Sequence, residues 1–545
     1  MANKEIDVPF PEIELLSDGV YLENPDKGSM KISDIIRITK KIVDVDNRTI
    51  RMIIEFDSLG KIQEIIVTRK ECLDPISLLT FQNVGLDIHQ FNKNYVVKHL
   101  LNEEKLAEVV NSHSKIGFGE YGENIVYKLH QCTGIKSIYT GNFEVKPKGN
   151  KIQWLKMFED EVQGNSRLEL ISCLSLSSIV IGFIGERYSL ETLIVHLSGN
   201  SSTGKTTALR LAISMFGSPK ISNNSLFSTY NMTENAMVNR LGDTKGVPFA
   251  FDEISTSKMN NFTNLIYTLS SGIDKARLNK NAELREQKTW LGTIFSNGER
   301  SLLSSANKNA GLQIRVVELE QDSWTSSSQN AENINSVISN NYGHIALEFA
   351  DYLICLGIES VSEMYNKDIQ ILKQVMQKAN LVDEFTSRRA NKLAIILTTV
   401  KLFQKYLDEK LKIDIKLSIT EMIKILLDVE KESIKSRNID KSALEHIRQY
   451  ILDNKHKFEK SWDEKPKGQL IGKLTKKKDC IELQMTESTF EEMLKEGGFE
   501  SAKVVLKELK NKGILDSDSD RYTRKRMTDV GKIPVIVVKL PRKEK

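Results

Sequence analysis

Thr192-Leu-Ile-Val-His-Leu-Ser-Gly199-Asn200-Ser201-Ser202-Thr203-Gly204-Lys205-Thr206-Thr207-Ala-Leu-Arg-Leu-Ala-Ile-Ser-Met-Phe216 is an apolar strand, a glycine-bounded loop and a helix-like run closed by Gly217. Positions 199–206 are a full G-x-x-x-x-G-K-T match in the strand-then-helix context that gives the pattern its meaning. Its glycines let backbone N–H groups wrap phosphates, and the helix N-terminus adds partial positive charge. Lys205 is then placed for β- and γ-phosphates and Thr206 for Mg2+, so Gly199 to Thr207 is the expected ATP-binding segment.

Forty-seven residues after Lys205 stands Asp252, where the apolar run Pro248–Phe251 ends in Asp252-Glu253. Asp252 is expected to join Thr206 as a metal ligand, and Glu253 to orient and deprotonate an attacking water. Two acids closing a strand are also an ordinary surface edge; the upstream loop favours the catalytic reading. The strand-like Trp290–Phe295 leads to Ser296-Asn297, and Asn297 is a candidate sensor of the γ-phosphate or else a turn residue. Arg315 opens Val316–Leu319 and is a candidate arginine finger or else a surface arginine.

Strands alternating with helices imply a parallel, helix-covered sheet. The expectation is an α/β fold: a P-loop ATPase core of the AAA+ type over 151–330 and a helical lid over 331–440. A β-rich N-terminal collar or DNA-binding region precedes it over 1–150, and a winged-helix domain follows over 441–545. In the N-terminal part, Thr49–Phe56 and Lys61–Thr68 flank a turn at Asp57–Gly60. A helix is expected at Asn94–Asn111, with strands at Glu123–His130 and Asn142–Val145. Gly117-Phe-Gly119-Glu-Tyr-Gly122 matches G-x-G-x-x-G, but the residues after it alternate like a strand, which excludes a dinucleotide site.

Between Glu253 and Asn297 the segment Lys275–Lys288 reads as a hairpin turning at Asn279-Lys280-Asn281. Lys275, Arg277, Lys280 and Arg285 are candidate phosphate contacts, with Lys280 at the tip; a solvated charged hairpin is the alternative. In the C-terminal part, Ser442–Asn454, Ser488–Gly497 and Ser501–Lys512 read as helices around the basic loop Arg521-Tyr522-Thr-Arg524-Lys525-Arg526. Those four cations and Tyr522 are candidates for contact with duplex or forked DNA, although such domains also dock proteins.

Composition fits this picture. The chain has 545 residues, 40% apolar and 28% charged, the balance of a soluble globular protein with several domains. Residues 501–545 carry 13 Lys+Arg against 6 Asp+Glu, a balance of +7 that leaves the other 500 residues at −3 of the total +4. Five scattered cysteines without C-x-x-C spacing favour a reducing, cytoplasmic setting without disulfides or zinc. The N-terminal MANKEIDVPFPEIE lacks an apolar core for a secretory signal, and Leu170–Gly185 is shorter than a bilayer span, so no membrane is expected.

Leu197–Pro219, Phe251–Ser255 (FDEIS), the Lys275–Trp290 hairpin, Ser296–Arg300 (SNGER) and Gly311–Leu319 (GLQIRVVEL) together resemble the MCM-like AAA+ replicative helicases of staphylococcal cassette chromosomes, the Cch family. The resemblance covers most of residues 18–400 and is densest at 190–320. It implies a hexameric, ATP- and Mg2+-dependent DNA helicase that translocates on single-stranded DNA during replication of a mobile element, with a separate primase or polymerase as partner. It also implies a second sensor arginine in the lid, matched by Arg388 with Arg389 a close rival. A helix-2 insertion would fall between Asn231 and Thr244, where this chain is short. A DNA-associated regulator or loader that remodels proteins without unwinding is the competing expectation.

Overall fold

The computed structural model describes residues 12–24, 28–257, 262–278, 280–461, 463, 468–528 and 531–541. Most of the N-terminal segment read for a secretory signal, Asn279 of the expected hairpin turn and the last four residues of the basic tail lie outside these. The chain forms two compact units, one ending at Phe143 and the other beginning at Glu144.

In the first unit, Ile13–Leu16, Gly19–Asn24 and Gly28–Ser33 form a small antiparallel sheet. A five-stranded sheet follows, in the order Ser137–Tyr139, Glu108–His113, Ile36–Asp44, Ile50–Ser58, Lys61–Thr68. The expected hairpin pairs Ser58 with Lys61. Its two turn residues, Leu59 and Gly60, both take positive φ, 58° and 73°, the twist that lets two right-twisted strands meet through so short a turn. The inward residues Ile36, Ile38, Met52, Ile54 and Phe56 pack on Val96 and Leu100 of the helix Lys93–Leu106.

That helix stops at Leu106, short of the expected Asn111. The β-branched Val109-Val110 pair instead enters a strand, Glu108–His113, that runs parallel to Ile36–Asp44. The expected strand at 142–145 is irregular chain. Gly117–Tyr121 and Asn124–Lys128 are a tight antiparallel hairpin, so of the glycines of G-x-G-x-x-G two lie in a strand, Gly122 serves the turn, and no helix follows.

In the second unit, five parallel strands build the central sheet: β1 (Leu193–Ser198), β2 (Phe227–Thr229), β3 (Phe249–Asp252), β4 (Thr293–Asn297) and β5 (Val316–Glu320). Their spatial order is β2-β3-β4-β1-β5. β1 is buried along its whole length, as a central strand covered on both faces must be, which is why its sequence is a continuous apolar run. The three-residue β2 follows a Ser/Asn-rich loop and is too short to show a period, so pattern reading passes over it. The expected strand at 290–295 divides at Gly292, where a Cβ would stand 2.8 Å from the Val247 carbonyl oxygen. Trp290–Leu291 pairs beside the sheet with Thr244–Lys245, and only Thr293–Asn297 enters it.

Behind the sheet runs the helix Ser166–Ile184, capped by Asn165 Oδ1 accepting from the Arg167 and Leu168 amides. By length and composition it could cross a membrane, yet 94% of that window is buried inside the protein. Its serines are bonded: Ser178 Oγ accepts from the Thr293 amide at 2.8 Å, Ser177 Oγ meets Thr293 Oγ1 at 2.9 Å and Ser175 Oγ donates to Ala212 O at 2.7 Å. An apolar helix can carry them because each hydroxyl regains inside what it lost with water.

Beyond β5 the chain is largely helical, with Ser328–Ile338, Ala346–Leu356, Ile358–Lys378, Thr386–Lys405 and Ile419–Arg437. Arg389 and Glu430, each fully buried, pair at 2.5 Å, and Arg437 bridges Glu430 at 2.6 Å and Asp383 at 2.8 Å. Arg389 Nη1 also donates to Val316 O at 3.3 Å, tying these helices to β5.

The last part packs three helices, Ile439–Asp453, Glu487–Glu496 and Ala502–Asn511, on a five-stranded sheet in the order Phe458–Lys460, Gly472–Lys476, Cys480–Met485, Gly531–Pro541, Arg524–Thr528. Ile447, Phe490, Met493, Leu506, Leu509 and Val538 form its core. The expected basic loop is half strand, since Arg524–Thr528 pairs antiparallel with the chain's last strand.

Candidate active site

The loop after β1 turns back through left-handed backbone at Gly199 (φ 127°), Ser202 (61°) and Gly204 (86°). A Cβ on Gly204 would meet Thr325 Oγ1 at 2.8 Å, so glycine is required there twice over. The Trp324 amide donates to Thr203 O at 2.7 Å, so the segment after β5 braces the loop. Lys205 opens the helix Lys205–Ser214 and is 7% exposed. Its ammonium donates to Gly199 O at 2.9 Å and Asn200 O at 2.5 Å. Burial lowers the Lys205 pKa, while Glu253, Glu299 and Asp252 pull it back up. Asn200, Ser201 and Thr203 complete the loop, and Thr207 accepts from Asn335 Nδ2 at 2.9 Å.

The strand ends meet this loop. Thr206 Oγ1 donates to Asp252 Oδ1 at 3.1 Å, and Asn297 Nδ2 donates to the same oxygen at 2.7 Å. Asn297 Oδ1 accepts from the Glu253 amide at 2.6 Å. Glu253 takes φ 58°, ψ 85°, a region a non-glycine residue enters only at a cost of roughly 1–3 kcal/mol and which is common at functional sites. The fold thus brings together Lys205, Thr206, Asp252, Glu253 and Asn297 from three loops at one edge of the sheet. Glu299, two residues beyond Asn297, accepts from Ser201 Oγ; sequence reading gave it no role, and its only signal is its distance from the strand end.

Beneath Asn297 a polar chain crosses the sheet. Tyr230 OH donates to Ser296 Oγ at 2.8 Å, Ser296 Oγ meets His196 Nδ1 at 2.8 Å, and His196 Nε2 meets Arg300 O at 2.8 Å. A carbonyl only accepts, so Nε2 carries the proton and Nδ1 accepts from Ser296. Glu318 lies 3.9 Å from His196, at ion-pair range. Burial nevertheless pushes the His196 pKa down to about 4 and the Glu318 pKa up to about 7. His196 is therefore neutral, both its ring nitrogens being satisfied as they stand, and the 3.9 Å approach is no ion pair; Glu318, which accepts from Ser301 Oγ and the Leu302 amide, titrates near neutrality.

The remaining candidates lie elsewhere. Arg315 Nη1 donates to Gly311 O at 2.8 Å and Nε to Ser270 Oγ at 3.1 Å; Nη2 is 3.4 Å from Glu191, and the guanidinium lies 4.8 Å over the Tyr267 ring. Arg388 is exposed, whereas Arg389 is locked in its buried ion pair.

The segment 273–289 is a hairpin, with bridges Ile273 to Thr289 and Leu278 to Leu284. Lys275 pairs with Glu234 at 2.8 Å, and Arg277 donates to Asn235 Oδ1 at 2.6 Å, both on the helix Glu234–Leu241. Lys280 and Arg285 are exposed and have no ion pair among the described residues. In the C-terminal part, Asp516 binds both Arg524 at 2.5 Å and Arg526 at 2.6 Å, leaving Arg521 and Lys525 as the more available cations. Tyr522 is half-buried, packed against the core with its ring 5.6 Å from the Lys510 ammonium.

A solved structure named "SCCmec type IV Cch - active helicase" shares the fold with a TM-score of 0.78 at 24% identity, over 99% of this chain and 98% of that one. No curated protein matches the chain. A family model described as the Cch helix turn helix domain matches residues 438–543, and one described as a domain of unknown function, DUF927, matches residues 13–289. With half its length in that match, the chain belongs to the DUF927 family; its C-terminal part matches the Cch helix turn helix model, and the Cch structure shares its fold.

Proposed function

We propose that this protein is a P-loop ATPase of the AAA+ type that unwinds DNA. The carrying observation is the meeting of Thr206, Asp252 and Asn297 beside the buried amine of Lys205. Read in chain order, the sheet runs 2-3-4-1-5, which puts β4 between the phosphate loop's strand and the acid-bearing strand. That arrangement supports the AAA+ layout, and the C-terminal helices with their strand hairpin support the winged-helix reading. The likeness along nearly the whole chain to a protein known as an active helicase supports the unwinding activity.

The residues fit a magnesium nucleotide. Thr206 Oγ1 and Asp252 Oδ1, 3.1 Å apart at the loop's mouth, are the hard oxygen donors that Mg2+ prefers. When bound there, Mg2+ neutralises charge on the phosphates. Lys205 exchanges the carbonyls of Gly199 and Asn200 for phosphate oxygens. Glu253 orients a water and takes its proton, while Asn297 fixes the Glu253 backbone. Arg315 stabilises the transferring phosphate of the neighbouring subunit in a hexameric ring. Arg388 serves as the second sensor.

Lys280 and Arg285 at the hairpin, with Lys275 and Arg277 behind them, track single-stranded DNA by its phosphates. Arg521, Lys525, Arg524 and Arg526 face the duplex or fork. The protein works in the cytoplasm, replicating a mobile element beside a separate primase or polymerase. A second reading, a regulator or loader that remodels proteins on DNA, draws on one observation: Asp516 neutralises Arg524 and Arg526, half of the basic cluster, which suits docking better than DNA grip.

Strand displacement from a forked duplex decides between them. ATP-dependent unwinding by the wild-type protein and none by Lys205→Ala, with unchanged circular dichroism, supports the helicase. DNA-stimulated hydrolysis with no displacement on any substrate favours the remodeller.

A further inference from the structure

The turn between the helices Glu487–Glu496 and Ala502–Asn511 is seated on the segment that leads to Arg315. The Lys308 amide donates to Gly498 O at 2.7 Å, Lys308 and Phe499 form a parallel bridge, and the Lys308 ammonium lies 4.8 Å over the Phe499 ring. The next residue, Asn309, donates through Nδ2 to both Glu500 and the Tyr267 hydroxyl, the latter at 3.1 Å. Its Oδ1 accepts from the Gly311 amide at 2.7 Å.

Two of the holds on Arg315 run through that one amide. Gly311, fixed by Asn309 Oδ1, offers its carbonyl to Arg315 Nη1 at 2.8 Å. Tyr267, fixed by Asn309 Nδ2, lays its ring under the guanidinium at 4.8 Å. A guanidinium bound at several points in a set direction loses less freedom when it meets a phosphate, and such pre-organisation is where a positioned cation gets its effect.

We infer that Asn309 is a positioning residue for Arg315, and that Glu500 of the C-terminal helix-turn-helix sets Asn309, so that the seating of that domain controls whether Arg315 is aimed. This rests on Arg315 acting across a subunit boundary, as proposed above. The consequence is that DNA held by the C-terminal domain and hydrolysis at the neighbouring phosphate site are linked through Glu500, Asn309 and Tyr267.

The test is steady-state ATP hydrolysis by the full-length protein, with and without forked DNA. Asn309→Ala should lower kcat by roughly tenfold or more with KM for ATP nearly unchanged. Glu500→Ala should lower it in the same sense, and Glu500→Gln, which still accepts from Asn309, should restore it. Tyr267→Phe removes only the hydroxyl and gives a second, milder probe of the same link. In mixtures, Asn309→Ala subunits should slow wild-type neighbours as Arg315→Ala subunits do, which a local folding defect would not produce. If Arg315→Ala is slow while Asn309→Ala and Glu500→Ala run at the wild-type rate, the inference is overturned. If Arg315→Ala itself hydrolyses normally, the role proposed for Arg315 falls instead.

Discussion

Asn297 donates its side-chain amide to Asp252 Oδ1 at 2.7 Å while its own carbonyl oxygen holds the backbone amide of Glu253 at 2.6 Å. One residue at the end of β4 therefore sets both acids at the end of β3.

From that relationship, Asn297→Ala should lower kcat for ATP hydrolysis by about 100-fold, the order seen when one oriented hydrogen-bond donor is removed from an active site. KM should change little, because the phosphate loop is untouched. Turnover measured against ATP concentration checks this, and an Asn297→Ala variant with only a raised KM would contradict it.

The hairpin cations should not be equal. Lys275 is already paired with Glu234, whereas Lys280 is exposed without an ion pair among the described residues. Lys280→Ala should weaken single-stranded DNA binding and reduce the slope of log K against log salt by about 1. Lys275→Ala should give the smaller change in both. Fluorescence anisotropy titrations over a range of salt concentrations distinguish the two.

Arg388 and Arg389 are neighbours with different work. Removing Arg389 leaves Glu430 buried with half its compensation, so Arg389→Met should cost about 3–5 kcal/mol of stability. Arg388→Ala, on an exposed position, should leave the melting temperature unchanged and lower ATP turnover. Thermal melts set beside hydrolysis rates read both effects.

His196 and Glu318 give stability a pH dependence of opposite signs. The folded Glu318 binds its proton up to about pH 7 and the unfolded one only to 4.5, so its contribution is lost as pH rises through that window. The folded His196 stays neutral down to about pH 4 and the unfolded ring only to 6.5, so its contribution is lost as pH falls. The two slopes nearly cancel between pH 4.5 and 6.5. Glu318→Gln removes the acid's half: it should be more stable than wild type at pH 8, by on the order of 3 kcal/mol, and equal to it near pH 4.5. Denaturant melts at the two pH values measure this.

Local signals carried far where chemistry is local. The β1 run, the glycine loop and the helix after it lie in one continuous stretch, and each is dictated by its own residues: apolar side chains for a strand covered on both faces, glycines where φ is positive, and Lys205 at the helix start. The hairpin at 50–68 was equally legible, because its turn residues and alternation are local. β2 and the strand at 108–113 were not, since a short strand is defined by the neighbour it pairs with. The same limit hid the basic strand Arg524–Thr528, whose run of cations carries no apolar alternation of its own.

By itself the sequence determined that a phosphate-binding loop stands between a buried strand and a helix, and that two acids close a later strand. Only the tertiary structure decided which polar groups share that site: Asn297 with Asp252, Glu299 with Ser201, Asn309 with both Tyr267 and Glu500. It also decided which cations are spent, on Glu234, Glu430 and Asp516, and which remain exposed. The reason is physical: backbone preference and apolar period act over a few residues, whereas a buried or exposed charge takes its partner from whatever the folded chain brings within hydrogen-bond reach, here from as far as 249 residues away, where Glu169 accepts from the Ser418 amide.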